Sequence, residues 1–453
     1  MNHLPLSSRG QRTRGSSVVL VLVLITVLSM VFGLVLVTHL ARHRLIGLDV
    51  HRLQARYAAE AAVYVALDSL QCDPAWRPTG PITLPGNQVA AVTVATFGGF
   101  LVVDAVVHDR QVRAEVRALI GQVPTAPFEQ AVYLWDADGR LSVAGTTQVT
   151  GDIVVGGGGV QAASFRGRRF RGRLAGTVQA VPGLAAPAFD DTLFQEALAA
   201  AARHLAAVGT PSANVFGQAV TEKHPVYLFE GDVRLTAADS LLWATPATVV
   251  VTGNLQVEGA VAFQQGTTLI AGQTLGLRGA VRGQGGLFIG VEAVAVTGPV
   301  RCAGQFLSRK QIRVAGTAHL LYPSVLFVAG EREDAGGGLL VEGKAVIEGT
   351  LLHPAAHLVL DAAQAHVAVG PEAQIRGGLF NAHTTKLEGT LYGALVTHRL
   401  TFYSAPTRYV NWLKDVEIDV TARPAAYLLP LRFGREIRLD VLSWLPVATD
   451  EER

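Results

Sequence analysis

Apolar residues run without interruption over residues 18–38, and an amphipathic pattern of helical spacing continues beyond them. At a rise of about 1.5 Å per residue, this run matches the roughly 30 Å hydrocarbon core of a bilayer. No proline occurs between Ser16 and Gln71, so the pattern predicts one transmembrane and amphipathic helix over residues 16–71. A signal anchor followed by a separate helix is the alternative. The apolar positions after the run are Ile46, Val50, Leu53, Tyr57, Ala61, Tyr64 and Leu67.

Three strand-like runs follow the helix, over residues 88–96, 100–108 and 112–121. The connections between them are only three residues long, which favours neighbouring antiparallel strands. The pattern therefore predicts a small antiparallel β-sheet over residues 85–121.

From Leu141 onward, units of an apolar residue, a variable residue and a glycine recur, several of them 18 to 28 residues apart. Such a period is typical of stacked supersecondary units, and glycine permits a tight corner. We therefore expect a parallel β-helix, or β-solenoid, over residues 130–408. The variable coil length favours a right-handed helix over a strict hexapeptide left-handed one, and a β-sandwich is the alternative. The recurring glycines include Gly253, Gly259, Gly279, Gly298, Gly316, Gly343, Gly349, Gly377 and Gly389.

Two segments depart from the repeat. Residues 189–207 read as a helix that begins at an aspartate N-cap, Asp190 or Asp191, and carries apolar residues at helical spacing. Residues 409–453 no longer repeat and contain Trp412 and Trp444. Because open solenoid ends need covering, this tail is predicted to be a C-terminal cap with a strand or two along the solenoid. The expected fold class is therefore mainly β, with an N-terminal transmembrane helix.

Composition narrows the class of protein. A chain of 453 residues allows two or three domains, and its 48 glycines suit closely stacked short strands. Charged residues make up 16% of the chain and the net charge is +2, so the overall charge does not predict an electrostatic field that attracts polyanions. Two cysteines, Cys72 and Cys302, give no disulfide framework.

Residues 14–17, Arg-Gly-Ser-Ser, directly precede the apolar run and resemble the N-terminus of type IV pilin-like proteins. Residues 56–62, Arg-Tyr-Ala-Ala-Glu-Ala-Ala, are similar to minor pilins and to the tip pseudopilin of type II secretion. In that family a membrane peptidase cleaves after the glycine that ends a short basic leader. The resemblance thus implies a leader over residues 1–15, cleaved between Gly15 and Ser16. The mature chain would carry Leu20 where major pilins usually have Glu, which favours a tip-type member.

The same resemblance implies membrane lipid, the leader peptidase and other pilin-like subunits as partners. It also implies a single-pass protein of the inner membrane with an exterior C-terminal domain. The orientation depends on the resemblance alone, because basic residues flank the apolar run almost equally and do not fix it. A long helix followed by a small sheet is the layout of a pilin head. The repeat resembles the solenoids of bactofilins and adhesins at the level of pattern only.

Residues with catalytic chemistry are sparse. Between residues 241 and 330 the acidic residues are Glu258 and Glu292. A β-helix glycosidase needs paired carboxylates, so two acidic residues in this segment argue against such an enzyme. No phosphate loop, zinc-protease helix or hydrolase elbow occurs in the sequence. We expect no enzyme activity, no catalytic residue and no cofactor.

Two metal-like patterns have simpler interpretations. Asp136-Ala137-Asp138-Gly139 begins like a calcium loop but lacks the later ligands, so a hairpin turn through its last two residues is predicted. His353 and His357 lie four residues apart with His366 further on, but Pro354 and the strand-like residues that follow argue against a helix. Exposed positions of the solenoid are predicted for these histidines, with no metal.

Five arginines surround one phenylalanine in residues 166–173. Guanidinium groups pair with phosphate and carboxylate, so the run could contact DNA, an acidic glycan or lipid headgroups. A solvated, poorly ordered loop is the alternative, which the nearly balanced net charge and the four glycines of residues 156–159 favour. The candidate residues are Arg166, Arg168, Arg169, Arg171 and Arg173.

These observations predict a membrane-anchored, pilin-like structural component of a type IV pilus or type II secretion type of assembly, which presents a β-solenoid surface. A stand-alone adhesin or scaffold anchored in the envelope is one alternative. A β-helix carbohydrate-active enzyme is the other.

Overall fold

The computed structural model of the chain describes residues 14–73, 76–109, 112–137, 139–208, 225–239, 245–330, 337–354, 365–430, 433 and 437–445. Its first elements are α1 Arg14–Cys72, β1 Ile82–Thr83, β2 Val89–Phe97, β3 Phe100–Asp109, β4 Val112–Gln122, β5 Val132–Leu134, β6 Leu141–Ala144, β7 Gln148–Thr150, β8 Ile153–Val155, β9 Val160–Ala162, β10 Arg173–Ala175, β11 Val178–Ala180 and α2 Thr192–Val208. The later strands are β12 Val226–Phe229, β13 Val233–Leu235, β14 Thr248–Val251, β15 Leu255–Glu258, β16 Ala262–Phe263, β17 Thr268–Ala271, β18 Thr274–Arg278, β19 Arg282–Gly290, β20 Ala293–Thr297, β21 Arg301–Ser308, β22 Gln311–Ala315, β23 His319–Val328, β24 Gly338–Val341, β25 Val346–His353, β26 Val367–Val369, β27 Gln374–Leu387, β28 Thr390–Ser404, β29 Thr407–Val410, β30 Trp412–Lys414, β31 Glu417–Asp419 and β32 Leu439–Leu445.

Helix α1 and a five-stranded antiparallel sheet form a small head. The sheet has the order β1-β2-β3-β4-β32, so its last strand comes from the far end of the described chain. The last third of α1 packs on this sheet through small side chains such as Ala55, Ala59 and Ala62, which lets the helix approach the strands closely. Residues 18–46 of α1 extend beyond the head with their side chains exposed.

The solenoid is built from parallel strands that form three stacked faces. In each full coil the chain contributes one strand, or one part of a long strand, to each face. The first face runs from β12 through β14 and β17 to the later halves of β19, β21, β23, β25, β27 and β28. The second face runs from β13 through β15, β18, β20, β22 and β24 to β26. The third face begins at β16 and continues through the first residues of the same long strands.

The order of coils in the stack differs from their order in the chain. On the first face Leu395 of β28 pairs with Val132 of β5, which in turn pairs with Ile153 of β8. On the third face Leu391 of β28 pairs with Ile418 of β31, and β31 then pairs with β7. Strands β30, β6 and β9 form a parallel sheet of their own. The coils that come first in the chain are therefore stacked onto its last coils.

Helix α2 carries the chain from the coil of β11 back toward β12, which lies at the opposite end of the stack. Except for Leu193, which belongs to the head core, its buried side chains pack against the first face, where the ring of Phe194 stacks on that of Phe327 with centroids 4.3 Å apart. Asp190 accepts a hydrogen bond from the backbone nitrogen of Thr192 at 2.9 Å, so the predicted aspartate cap is present at this helix.

The head is joined to the solenoid by the amide of Gln305, which is buried in β21. Its Oε1 accepts a hydrogen bond from the backbone nitrogen of Gly99 at 2.6 Å, and its Nε2 donates to the carbonyl of Phe97 at 2.7 Å. These two groups belong to the turn between β2 and β3, where a Cβ on Gly99 would lie 2.2 Å from the ring of Phe194. Because Gly99 has no Cβ, this turn of the head lies close enough to the solenoid for both hydrogen bonds to form.

The predicted fold class is confirmed: the described chain is mainly β, with one long apolar N-terminal helix, a small antiparallel sheet and a large parallel sheet of the solenoid type. Parallel pairing along all three faces of the stack excludes the β-sandwich alternative. A C-terminal cap was expected over residues 409–453, but β30 and β31 lie inside the stack and β32 completes the head. Residues 1–13 of the predicted leader and residues 446–453 lie outside the described residues.

Candidate functional site

The arginine run forms an ordered turn in place of the poorly ordered loop that the sequence favoured. Phe165 and Arg168 exchange two backbone hydrogen bonds of 3.0 Å. Between them Arg166 and Gly167 have φ of 48° and 77°, the left-handed pair of a two-residue hairpin turn. The turn therefore has a defined backbone conformation, despite the four glycines of residues 156–159.

An aromatic cluster holds this turn against the solenoid. Phe402 and Tyr409 come from the hairpin of β28 and β29, and their ring centroids lie 5.5 and 5.6 Å from that of Phe165. Trp412 completes the group at 6.4 Å. The rings fix the turn because each contributes apolar area and a defined edge-to-face contact.

Two cations lie over these rings. The Arg166 guanidinium is 5.5 Å from the Phe165 centroid and donates to Ser404 Oγ at 2.8 Å. Lys414 Nζ is 5.0 Å from the same ring and also pairs with Asp415, whose carboxyl pKa is lowered mainly by that hydrogen bond. Lys414 is thus neutralised within the chain, whereas Arg166 is held without an acidic partner among the described residues.

The five candidate arginines separate into two groups. Arg166, Arg168 and Arg169 belong to the turn, while Arg171 and Arg173 line the last coil, with their backbone nitrogens bonded to the carbonyls of Gly145 and Thr147. All five are exposed, and none forms an ion pair within the described part of the chain. The arrangement is a concentrated positive surface that no acidic side chain in the described part of the chain neutralises.

Sequence reasoning missed the hairpin beside the turn. Its signal is present in the aromatic residues on both sides of Ala405-Pro406, a turn-forming pair in a strand-like run. The hairpin also carries exposed Arg408 and the exposed ring of Tyr403, which are register partners next to Phe402 and Tyr409 and therefore point to the other face of the hairpin. We call the surface made by Arg166, Arg168, Arg169, Arg171 and Arg173 the basic surface.

The predicted calcium-like segment has a structural role. Asp136 Oδ2 accepts hydrogen bonds from Arg399 Nε at 3.1 Å and Asn411 Nδ2 at 3.0 Å, so its charge is already balanced. The predicted hairpin is wrong, because β5 and β6 on either side of residue 139 pair with other strands on different faces. Asp138 itself lies outside the described residues.

The histidines are buried, which contradicts the predicted exposed positions. His353 ends β25 and His366 precedes β26, and their ring centroids are 5.8 Å apart. His383 joins them at 5.6 and 5.1 Å, a neighbour that sequence spacing could not indicate. Burial, with smaller effects of His383 and His366, lowers the pKa of His353 to about 3. His357 lies outside the described residues, within which no group of His, Cys, Asp or Glu is arranged to hold a metal ion.

The predicted cleavage bond, Gly15–Ser16, lies in the first turn of α1. Beyond it the helix is long and apolar enough to cross a membrane, with its apolar side chains exposed, and within the described residues it is the one such helix. Of the two cysteines, Cys72 is exposed at the end of this helix, whereas Cys302 is buried and its pKa is raised to about 12 by that burial.

No protein-family model matches the sequence, and no curated protein matches it. Among solved structures, the chain is similar to the crystal structure of the competence-associated pilin ComZ from Thermus thermophilus, at 11% identity over 87% of this chain and 97% of that chain. The TM-score is 0.19, which is too low to establish a common fold.

Proposed function

We propose that the protein is a membrane-anchored, non-enzymatic, pilin-like structural component of a type IV pilus or type II secretion type of assembly. The observation that carries this proposal is the continuity of α1, which passes from an exposed apolar span directly into the core of a small antiparallel head. A helix of 59 residues extends about 88 Å, long enough to cross a membrane and to support the head outside it. The solenoid is then held away from the membrane as a large exterior surface.

A structural role is also supported by the acidic residues on the solenoid. Glu342 pairs with Arg313 at 2.8 Å, and Glu292 pairs with Lys310 at 2.9 Å. Glu348 lies between His319 and Arg376. These carboxylates are balanced by neighbouring coils, an arrangement that suits stabilisation of stacked strands better than general acid and base catalysis.

The test is the mature N-terminus. Mass spectrometry of the protein from cells that contain the leader peptidase is expected to find Ser16 as the first residue, because the basic leader ends at Gly15 where the apolar helix begins. Gly15→Val should block cleavage, whereas Gly10→Val in the same leader should not. An intact Met1 in the unmodified protein would instead support the stand-alone envelope anchor.

The basic surface favours a second function, contact with a polyanion such as DNA or an acidic glycan. Support comes from the hydrogen-bonded turn, the aromatic rings that hold it, and five exposed arginines with no ion pair in the described part of the chain. The alternative role of these arginines is to prevent other strands from pairing with the open edge of the last coil. At this edge β10 and β11 each pair with a described strand on one side.

Salt dependence separates the two roles of the arginines. If the five arginines contact phosphates, affinity of the full chain for DNA should fall steeply with added salt, by a slope of about 0.9 per phosphate contacted. Changing all five to Ser should abolish binding and leave the melting temperature unchanged. Arg313→Ser, which removes an arginine already paired with Glu342, is the control. Equal binding by all three proteins, or none by any of them, would leave edge protection as the role of the arginines.

A further inference from the structure

Two exposed histidines of α1 lie directly beyond the apolar span. His39 and His43 are four residues apart, and the uninterrupted apolar run ends at residue 38, just before them. Their Nε2 atoms lie 3.1 Å apart, and their ring centroids are 4.5 Å apart at an angle of 83°. Because residues at positions i and i+4 of a helix lie on the same side, α1 itself holds the two rings together.

The separation of the two nitrogen atoms fits a shared metal ion. Imidazole nitrogens bind Zn²⁺ at about 2.0–2.1 Å, so two such ligands at a tetrahedral angle lie about 3.3 Å apart. The pair is already close to this distance, and no change in the backbone of α1 is needed. At 3.1 Å the two nitrogens can also share a hydrogen bond. A metal ion then competes only with an exposed hydrogen bond, which contributes little net stability.

Exposure separates this pair from two other histidine sites. The histidine cluster of the solenoid is buried, and His51 is paired with Asp109 at 3.0 Å. By contrast, both His39 and His43 are open to solvent. Among the described residues no group of three or more His, Cys, Asp or Glu could hold a metal ion. The helix pair is therefore a smaller site, which supplies two ligands and leaves the other coordination positions to water.

The ligand type and the neighbouring charges define the class of metal. Neutral imidazole suits Cu²⁺, Ni²⁺ and Zn²⁺, whereas Mg²⁺ and Ca²⁺ prefer oxygen ligands, and Cu²⁺ binds most tightly of the three. The neighbouring charged residues are Arg42 and Arg44, and no acidic residue lies within five positions of either histidine in the sequence. Binding therefore depends on the two imidazole nitrogens, which makes it sensitive to the loss of either ring.

The position of the pair places the site at the membrane surface, because the apolar run before it matches the length of a bilayer core. We propose that His39 and His43 form a chelating site for a divalent transition-metal ion such as Cu²⁺ or Zn²⁺. Two ligands on one helix bind an ion more tightly than two separate imidazoles, because the second nitrogen binds within the same molecule. The inference goes beyond the proposed function and does not depend on it, since it requires only the helical spacing of the two residues.

Electron paramagnetic resonance of Cu²⁺ tests the site. One equivalent of Cu²⁺ is added to the full chain in detergent, without a histidine tag. All proteins carry His3→Ala, because a histidine at position 3 and the terminal amine can bind Cu²⁺ together. The spectrum is expected to show splitting from two imidazole nitrogens. His39→Ala and His43→Ala should each lower the affinity for Cu²⁺ about tenfold or more.

The matched control is His204→Ala, which removes an exposed histidine of α2 that has no second histidine one turn away. This control should leave the spectrum and the affinity unchanged. Unchanged affinity in His39→Ala or His43→Ala, or the lack of a two-nitrogen signal from the protein with both histidines, would overturn the inference.

A rearranged pair separates chelation from the number of histidines. The double variant Ala41→His with His43→Ala keeps two histidines, but positions 39 and 41 lie about 200° apart around the helix and cannot reach one ion. It is expected to lose the two-nitrogen signal and to bind Cu²⁺ as weakly as His43→Ala does. Circular dichroism should be unchanged, since both substituted positions are exposed. A two-nitrogen spectrum from the rearranged variant would reveal adventitious binding only and would overturn the inference.

Discussion

At the scale of the residue, the solenoid depends on a column of glycines at one corner. Gly259, Gly279, Gly298, Gly316 and Gly343 each follow a strand of the second face and have φ between 66° and 93°. This backbone conformation places a Cβ against the following carbonyl in L-residues, which is why glycine recurs there. Gly298 belongs to this left-handed column, whereas at Gly253 the requirement for glycine is space, because a Cβ would lie 2.6 Å from the carbonyl oxygen of Gly231.

Replacing Gly298 tests the backbone requirement. The nearest atom to an added Cβ is the nitrogen of Gly279 at 3.4 Å, so strain at φ of 87° outweighs crowding. Gly298→Val should lower the unfolding free energy by about 1–3 kcal/mol, measured by urea unfolding of the full chain in detergent. Gly298→Asn should cost less, because asparagine tolerates the left-handed region. Equal transition midpoints for the two variants would count against a left-handed corner.

At the scale of the element, periodicity identifies a secondary structure but not its surroundings. The helical spacing of Ile46, Val50, Leu53, Tyr57 and Tyr64 predicts α1, yet these residues are exposed and the face that packs on the head is the opposite one, made mainly of alanines. Small residues allow the strands to approach closely, while these five large residues remain exposed. The same limit applies to the arginine run, whose order comes from Phe402, Tyr409 and Trp412, more than 230 residues later in the chain.

At the scale of the whole molecule, the solenoid is an insertion into the head. The chain leaves the head sheet at Gln122, the end of β4, and returns at Leu439, the start of β32, and these two residues are register partners. Partners in neighbouring antiparallel strands lie about 5 Å apart, a distance that a short turn spans. The head core is nearly self-contained, since α2 supplies one buried residue to it, Leu193.

Excision of the solenoid tests this organisation. Replacing residues 123–438 with a two- to four-residue Asn-Gly turn should leave the head folded, because β4 and β32 remain adjacent. Its unfolding free energy should fall by more than the about 2–5 kcal/mol that the Leu193 side chain contributes, because Phe100 and Leu119 also lose the solenoid residues that cover them. Leu193→Ala in the full chain is the matched control. Circular dichroism during urea unfolding provides the measurement, and a shortened chain without a cooperative transition would show that the head requires the solenoid.

The sequence by itself determined the features that follow from local spacing: the long apolar helix, the three strands of the small sheet, α2 with its aspartate cap, and a solenoid with glycine corners. The tertiary structure decided which coils are neighbours. The inward column of Leu391, Ile418, Val149 and Leu174 joins two distant parts of the chain, although each residue is an ordinary apolar position in a strand. Any coil end with an apolar column and a free strand edge accepts another, because parallel pairing recognises backbone and register and not the order of the chain. For the same reason the histidine cluster and the aromatic support of the basic surface became visible only in the folded molecule.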